Sequence, residues 1–349
     1  MKVKRYVRLS LLSVFISGQS VADISATLQS ALESAMREYK ISDLSVSVVR
    51  SGETIYVSDL HLQPDGRLRV GSGDTQYRIA SISKVFTAQA VLQLQEKGKL
   101  SLDDNVYTYI PSLSNSDIKI RDLLTHHAGF KDKIWPENFD RKSNFDTYLS
   151  KVLSENKSIK AGSNYQYSDT GFNILGKIIS NISNMDYETY IERKILEPAR
   201  MQNSGYYSGL KGLHPTVEPF RNGFLIPLDQ RWPYDPQFFP SEGLISNVSD
   251  LTRWIRLVMK MDSKLLKKNS FKQMLTPQFD TSLAETQIGF SWFITRRNNL
   301  EYVYHMGGIR GYESIIATQP KIGNATIILA NSNDVPRWEI VHLIEQTIE

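Results

Sequence analysis

The 349-residue chain contains no cysteine. Thiol nucleophiles, thiolate zinc sites and disulfides are therefore excluded, and covalent chemistry falls to serine, lysine, tyrosine, histidine and the carboxylates. The segment Ala80-Ser81-Ile82-Ser83-Lys84 sets a hydroxyl and an amine three residues apart. On a helix that spacing puts both on one face, within reach of each other. A helix start also favours the negative charge that develops when a serine oxygen attacks a carbonyl. The spacing by itself is common, because Ser116-Lys119, Ser154-Lys157 and Ser208-Lys211 share it. Those three lie in polar or loop-like stretches, whereas Ser81 opens an apolar-patterned run through Val85, Ala88, Val91 and Leu92 to Gly98. Taken alone, the motif also fits a capping serine followed by a solvated lysine. His126-His127 carries no metal reading: adjacent histidines project differently, and no His-Glu-x-x-His is present. The absence of a Gly-x-Ser-x-Gly elbow disfavours the α/β-hydrolase fold.

The elements that must position Ser81 and Lys84 fall into three stretches. Ile24, Leu28, Ala31, Leu32, Ala35 and Tyr39 repeat at helical spacing, and Leu44 to Arg50 and Thr54 to Ser58 read as strands joined at Ser51-Gly52. Near the other end "IGFSWFI", "EYVYH", "YESIIATQP" and "ATIILANS" read as four more strands, followed by a helix from about Pro336. Between them, helical patterns such as "TGFNILGKIISNI" and "SDLTRWIRLVMKM" alternate with long loops. The stretch from Leu213 to Pro240 holds six of the 13 prolines and cannot be helical. The expected fold is α+β: one antiparallel sheet from both chain ends (23–102 and 286–349), flanked by the terminal helices, with a mainly helical domain inserted at 103–285.

Residues 1–22 read as a cleavable export signal. Lys2, Lys4, Arg5 and Arg8 precede the apolar Leu9–Ile16, and small residues end at Ser20-Val21-Ala22, with cleavage expected before Asp23. The apolar run is too short to span a bilayer comfortably, so no span is expected after cleavage, the alternative being a short membrane anchor that is retained. Removing these four basic residues from the 41 Lys+Arg leaves 37 against 37 Asp+Glu. A balanced mature chain gives no reason to expect a nucleic-acid partner. The location expected is periplasmic or secreted.

Further segments join "ASISK" in a pattern that resembles the serine β-lactamase and penicillin-binding-protein superfamily, in its class C β-lactamase-like branch. Tyr167-Ser168-Asp169 resembles the Tyr-x-Asn motif, and His305-Met306-Gly307 the Lys/His-Thr-Gly strand followed by Gly-x-x-Gly-Tyr/Phe-x-Ser. "LLTHHAGF" at 123–130 is similar to Leu-Leu-x-His-x-Ser-Gly-Leu, and "EGLISNVSDLTRW" to Gly-Gly-Leu-x-Ser-x-x-x-Asp-Leu. The order holds over residues 24–345. The resemblance implies Ser81 as nucleophile, Lys84 as its partner, Tyr167 as base or proton shuttle, and an oxyanion hole from the N–H groups of Ser81 and Gly308. It implies no metal and no cofactor. A phenol is a poor base at neutral pH, so the Lys84 ammonium would have to stabilise its anion.

The departures from the pattern bear on the substrate, a small molecule or peptide that includes cell-wall-derived material. The resemblance places Asp169, His305, Met306 and Gly307 at substrate-binding positions, and Arg310 is a candidate cation close by in the sequence. Met306 cannot donate the hydrogen bond a threonine would, and a neutral His305 leaves carboxylate recognition to Arg310 or another cation. Asp169 replaces an amide donor with an acceptor, able to pair with Lys84 and repel a substrate anion. The expectation is an exported serine hydrolase working through an acyl-enzyme on Ser81, acting on small esters or D-amino-acid peptides ahead of β-lactams. The alternative is a penicillin-binding or cell-wall sensor protein with little or no turnover.

Overall fold

The computed structural model describes residues 21–114, 117–140, 144–156 and 164–348. Residues 1–20, which hold most of the expected export signal, and Ser116 and Lys157 of the alternative Ser-Lys pairs lie outside them. Helix α1 (Val21–Tyr39) leads into strands β1 (Asp43–Arg50), β2 (Glu53–Leu62) and β3 (Leu68–Gly71), and the short β4 (Tyr77–Arg78) precedes helix α2 (Ser83–Glu96). Helices α3 (Ile120–Leu124), α4 (Phe145–Glu155), α5 (Asp169–Ser183) and α6 (Tyr187–Ile191) follow, then the hairpin β5 (Phe220–Arg221) and β6 (Phe224–Leu225). Next come α7 (Phe239–Glu242), β7 (Ile245–Ser246), α8 (Val248–Lys260) and α9 (Lys268–Leu275). The chain closes with β8 (Phe279–Asp280), β9 (Thr286–Ile288), β10 (Phe293–Arg297), β11 (Leu300–Ile309), β12 (Tyr312–Gln319), β13 (Asn324–Ala330) and helix α10 (Arg337–Ile348).

Nine strands form one antiparallel sheet in the order β3-β2-β1-β13-β12-β11-β10-β9-β8, so β1 pairs with β13 and the two chain ends meet at its centre. Alternation along the strands serves two cores. Leu44, Val46 and Val48 of β1 and Tyr302 and Tyr304 of β11 pack with Leu28, Leu32 and Met36 of α1 and Ile340, Val341 and Ile344 of α10. The opposite face, with Val303 and Ile309 of β11, joins a second core that includes the helices. Within that core α2 is buried from Ser83 to Leu94, on every side rather than along one stripe. A helix enclosed this way is a fixed platform for the residues at its start.

The sheet departs from the expected elements in two places. "IGFSWFI" is not one strand: β9 ends at Ile288, Gly289 N–H bonds Trp292 O at 2.7 Å, and β10 begins at Phe293. Ser291 takes φ +71° in that turn, a left-handed backbone that the apolar run conceals. The sheet also resumes at Phe279, ahead of 286, because the short β8 pairs back onto β9.

Candidate active site

Ser81 lies in a single 3-10 turn, Ala80–Ile82, immediately before α2. Ala80 adopts φ +49°, a strained conformation for a residue with a Cβ, and the kink lifts Ser81 out of the buried run around it. Neighbouring segments fix the turn. Ile79 N–H bonds Leu244 O at 3.0 Å, Ser314 Oγ donates to Ile79 O at 2.9 Å, and Ser83 Oγ donates to Ala80 O at 2.7 Å while accepting from Leu244 N–H at 3.0 Å. Ser83, the second hydroxyl of the motif, is thereby spent on structure.

Lys84 is fully buried, with two hydrogen bonds and an ion pair about its ammonium. Nζ lies 3.0 Å from Ser81 Oγ, 3.0 Å from Ser241 O and 2.5 Å from Asp169 Oδ1. Burial works against the charge, but Asp169 and then Tyr167 outweigh it and hold the amine above the ordinary lysine range. Lys84 is therefore an ammonium. The Tyr167 oxygen accepts from Lys84 and is hydrogen-bonded to Ser81, with the ring centre 5.0 Å from Nζ. Burial raises the phenol above its ordinary value, Lys84 pulls it down and Asp169 pushes it up again. The carboxylate thus cancels part of the help the ammonium gives to a phenolate.

Helix α5 presents Tyr167 and Asp169 through its cap. Ser168 Oγ accepts from Gly171 N–H at 3.2 Å, and Asp132 takes the N–H groups of Asp169 (2.7 Å) and Thr170 (3.0 Å) together with the Ser168 hydroxyl (3.0 Å). Asp132 had no sequence signal, being one charge in a polar loop. Glu242 had one, since it stands where the resembling pattern has glycine. It is buried, accepts from Trp232 Nε1 at 2.5 Å, and is pushed up to about 7, first by burial and then by Asp169.

The facing wall is β11. Its pairing with β10 ends at Phe293 opposite Tyr304, so beyond that point no described strand covers its main chain on that side. Gly307 runs tight against the serine turn: a Cβ there would stand 2.2 Å from Ile79 O. Only glycine allows this approach. Gly308 follows it, exposed.

The side chains of this wall are not free for an anion. His305 is buried and held neutral, pushed down to about 3 by burial and then by Lys84, with Nδ1 2.8 Å from Met306 O. Met306 is half-buried and packs with the core that includes Tyr304 and Trp338. Arg310 pairs with Glu137 at 2.9 Å and donates to Gln230 O at 2.7 Å. Arg337, which the motifs did not single out, donates to Gly307 O at 2.7 Å and lies 3.4 Å from Glu313. Ser81, Lys84, Tyr167 and Asp169 therefore converge, while Arg310 and Arg337 beside β11 are each paired with a carboxylate.

A family model described as Beta-lactamase matches residues 28–342. The chain belongs to the beta-lactamase family. Its fold is similar to that of a class C beta-lactamase (TM-score 0.81, 20% identity, covering 96% of this chain and 99% of that one). It is likewise similar to the D-alanine carboxypeptidase AmpC from Burkholderia cenocepacia (TM-score 0.77, 19% identity, covering 94% and 99%). Among curated proteins it is 24% identical to Protein flp of Staphylococcus aureus (strain MRSA252) over 340 residues, covering 93% of this chain and 67% of that protein. This beta-lactamase family is one of serine hydrolases, which is the chemistry that the Ser81–Lys84 contact suits. Among the described residues no group of three or more His, Asp or Glu is placed to hold a metal, and no helix is long and apolar enough to cross a membrane.

Proposed function

We propose that this member of the family is an exported serine hydrolase that forms an acyl-enzyme on Ser81 and acts on a small ester or a D-amino-acid peptide in preference to a β-lactam. The reading rests on the 3.0 Å contact between Ser81 Oγ and the buried Lys84 ammonium, with Tyr167 beside both. Ser81 Oγ attacks the carbonyl carbon. Its proton passes to the Tyr167 oxygen as the phenol gives its own proton to the leaving oxygen or nitrogen, so a neutral phenol serves as a relay. The N–H groups of Ser81 and Gly308 receive the developing oxyanion, and water then releases the acyl group by the reverse proton path.

The substrate preference follows from the β11 wall. A neutral His305, an apolar Met306 and two arginines tied to carboxylates leave little to hold a carboxylate, and Asp169 repels one. Similarity to a D-alanine carboxypeptidase keeps D-peptides in view, and the wall favours those whose terminal carboxylate is masked. Export is supported by the basic-then-apolar residues 2–16. The test is labelling with a fluorophosphonate probe, followed by turnover of a short-chain chromogenic ester, a D-alanyl amide and nitrocefin. Labelling at Ser81 with ester or amide turnover ahead of nitrocefin is the expected result. Labelling without turnover would establish the sensor reading instead.

A further inference from the structure

We infer that His126 is a positioning residue for catalysis, holding the ring of Tyr167 in register between Lys84 and Ser81. The inference rests on the acyl-transfer reading above. Three contacts carry it. The His126 backbone carbonyl accepts the N–H of Gln166 at 2.8 Å, and its ring Nδ1 accepts the N–H of Ser168 at 3.1 Å. One residue thus grips the chain immediately before and immediately after Tyr167. Between those two bonds the imidazole lies over the phenol itself, with ring centres 4.3 Å apart and planes at 29°. Phe172 (5.1 Å) and the edge of Tyr165 (5.9 Å) confine the imidazole ring in turn.

The backbone at His126 serves the same end. Its φ of +61° is left-handed, which turns the chain so that carbonyl and ring both face the Tyr167 segment. A non-glycine residue persists there only when its surroundings hold it. Because Ser168 N–H donates to Nδ1, that nitrogen is bare and the ring proton sits on Nε2. Burial, with Lys84, His305 and His127 adding to it, disfavours a second proton. A second proton would displace the Ser168 bond and add a cation beside Lys84. The neutral ring is therefore the form that can hold Tyr167, and a shift of the phenol of about 1 Å from its relay position is enough to cost about a hundredfold in rate.

Two substitutions separate the contacts. H126N keeps an acceptor where Nδ1 stands and tolerates the left-handed backbone, but removes the ring over Tyr167. H126F keeps a ring and loses the acceptor, leaving Ser168 N–H unpaired. Pre-steady-state acylation by a short-chain ester, with KM, the pH profile and circular dichroism, is measured for both, alone and combined with Y167F. The expected result is a fall in acylation of about tenfold in H126N and about a hundredfold in H126F, with KM near the parent's. In the Y167F background neither substitution lowers the rate further, because a group that acts through Tyr167 has nothing left to position. Losses that add in full to that of Y167F, or no loss in either variant, overturn the inference. Should H126F fail to fold, H126N with and without Y167F decides it by the same criterion. A parent that fluorophosphonate does not label at Ser81 fails the acyl-transfer reading and this inference with it, and that outcome is distinct because the parent itself is silent.

Discussion

The two walls of the cleft differ in how their polar groups are used. On the α2–α5 wall the charged and hydroxyl groups face one another: Lys84 reaches Ser81 and Asp169 at once, and Tyr167 stands beside the same lysine. On the β11 wall the equivalent groups are withdrawn, with His305 neutral and buried and Arg310 and Arg337 drawn to Glu137 and Glu313. The reacting groups thus lie together on one wall, while the charged side chains of the other are paired with carboxylates. Asp169 belongs to the first wall but acts against the anion that the second would receive.

Substitutions on the first wall carry the largest effects. Ser81→Ala should abolish labelling and lower kcat/KM by several powers of ten with the fold intact by circular dichroism, since loss of a nucleophile is that costly. An alanine variant keeping more than about a hundredth of the activity would end the assignment. Ser154 and Ser208 are the controls. Ser154 Oγ is spent on Lys151 O, and Lys211 Nζ is engaged by the carbonyls of Met201, Gln202 and Ser204 rather than by Ser208. Substituting either leaves activity near the parent's.

Lys84→Ala and Tyr167→Phe come next, each lowering acylation by about 10² to 10⁴. The double variant should be little worse than the worse single one, because the two form one proton-transfer unit. Full addition of the two losses would mean that the lysine and the phenol serve separate steps.

How far the sequence revealed these walls depends on which physical fact fixed each residue. The Ser81–Lys84 contact was legible because i, i+3 spacing on a helix is geometry. The pairing of both chain ends in one sheet was legible from alternating strands at either end. The left-handed Ala80 and His126 were not, since nothing in the identity of an alanine or a histidine announces a positive φ that the tertiary structure imposes. Asp132 and Arg337 were hidden for a similar reason, as their partners lie in distant segments. The break in "IGFSWFI" was hidden because Gly289 and Ser291 stand among Ile288, Phe290, Trp292 and Phe293, and a mostly apolar run reads as one strand. Glu242 was visible as a departure from glycine, but its burial beside Asp169 was not.

Substitutions aimed at anion recognition should have smaller effects. Asp169→Asn removes a charge that repels an anion and restores an amide donor, and Met306→Thr adds a hydroxyl on the strand. Together they should raise the ratio of kcat/KM for a carboxylate-bearing substrate over a neutral ester by about tenfold, the worth of one charge-assisted hydrogen bond. Because Met306 packs toward Tyr304 and Trp338, most of the gain should come from Asp169→Asn. An unchanged ratio in an active double variant would mean that substrate carboxylates approach neither position.

The smallest expected effect is on stability, and it probes how far the Asp169 charge reaches into the buried groups behind the first wall. Glu242 is buried among Asp169, Arg78, Lys84 and the Trp232 indole, and its carboxyl is pushed from 4.5 up to about 7. The folded protein therefore keeps a proton that the unfolded chain releases near 4.5. The contribution of this group is complete below that value and is lost as pH rises through about 7. Glu242→Gln retains an oxygen for the Trp232 indole and removes the titration. The parent's melting temperature should consequently fall by a few degrees more than the variant's between pH 5 and pH 8. Asp169→Asn sharpens the test, because removing the neighbouring carboxylate takes away the second-largest push on Glu242. Its loss of stability should then be smaller and be complete at a lower pH than the parent's. Equal slopes for parent and Glu242→Gln would show that Glu242 ionises in the folded protein as freely as in the unfolded chain. In that case the Asp169 charge would not reach Glu242 in the folded protein.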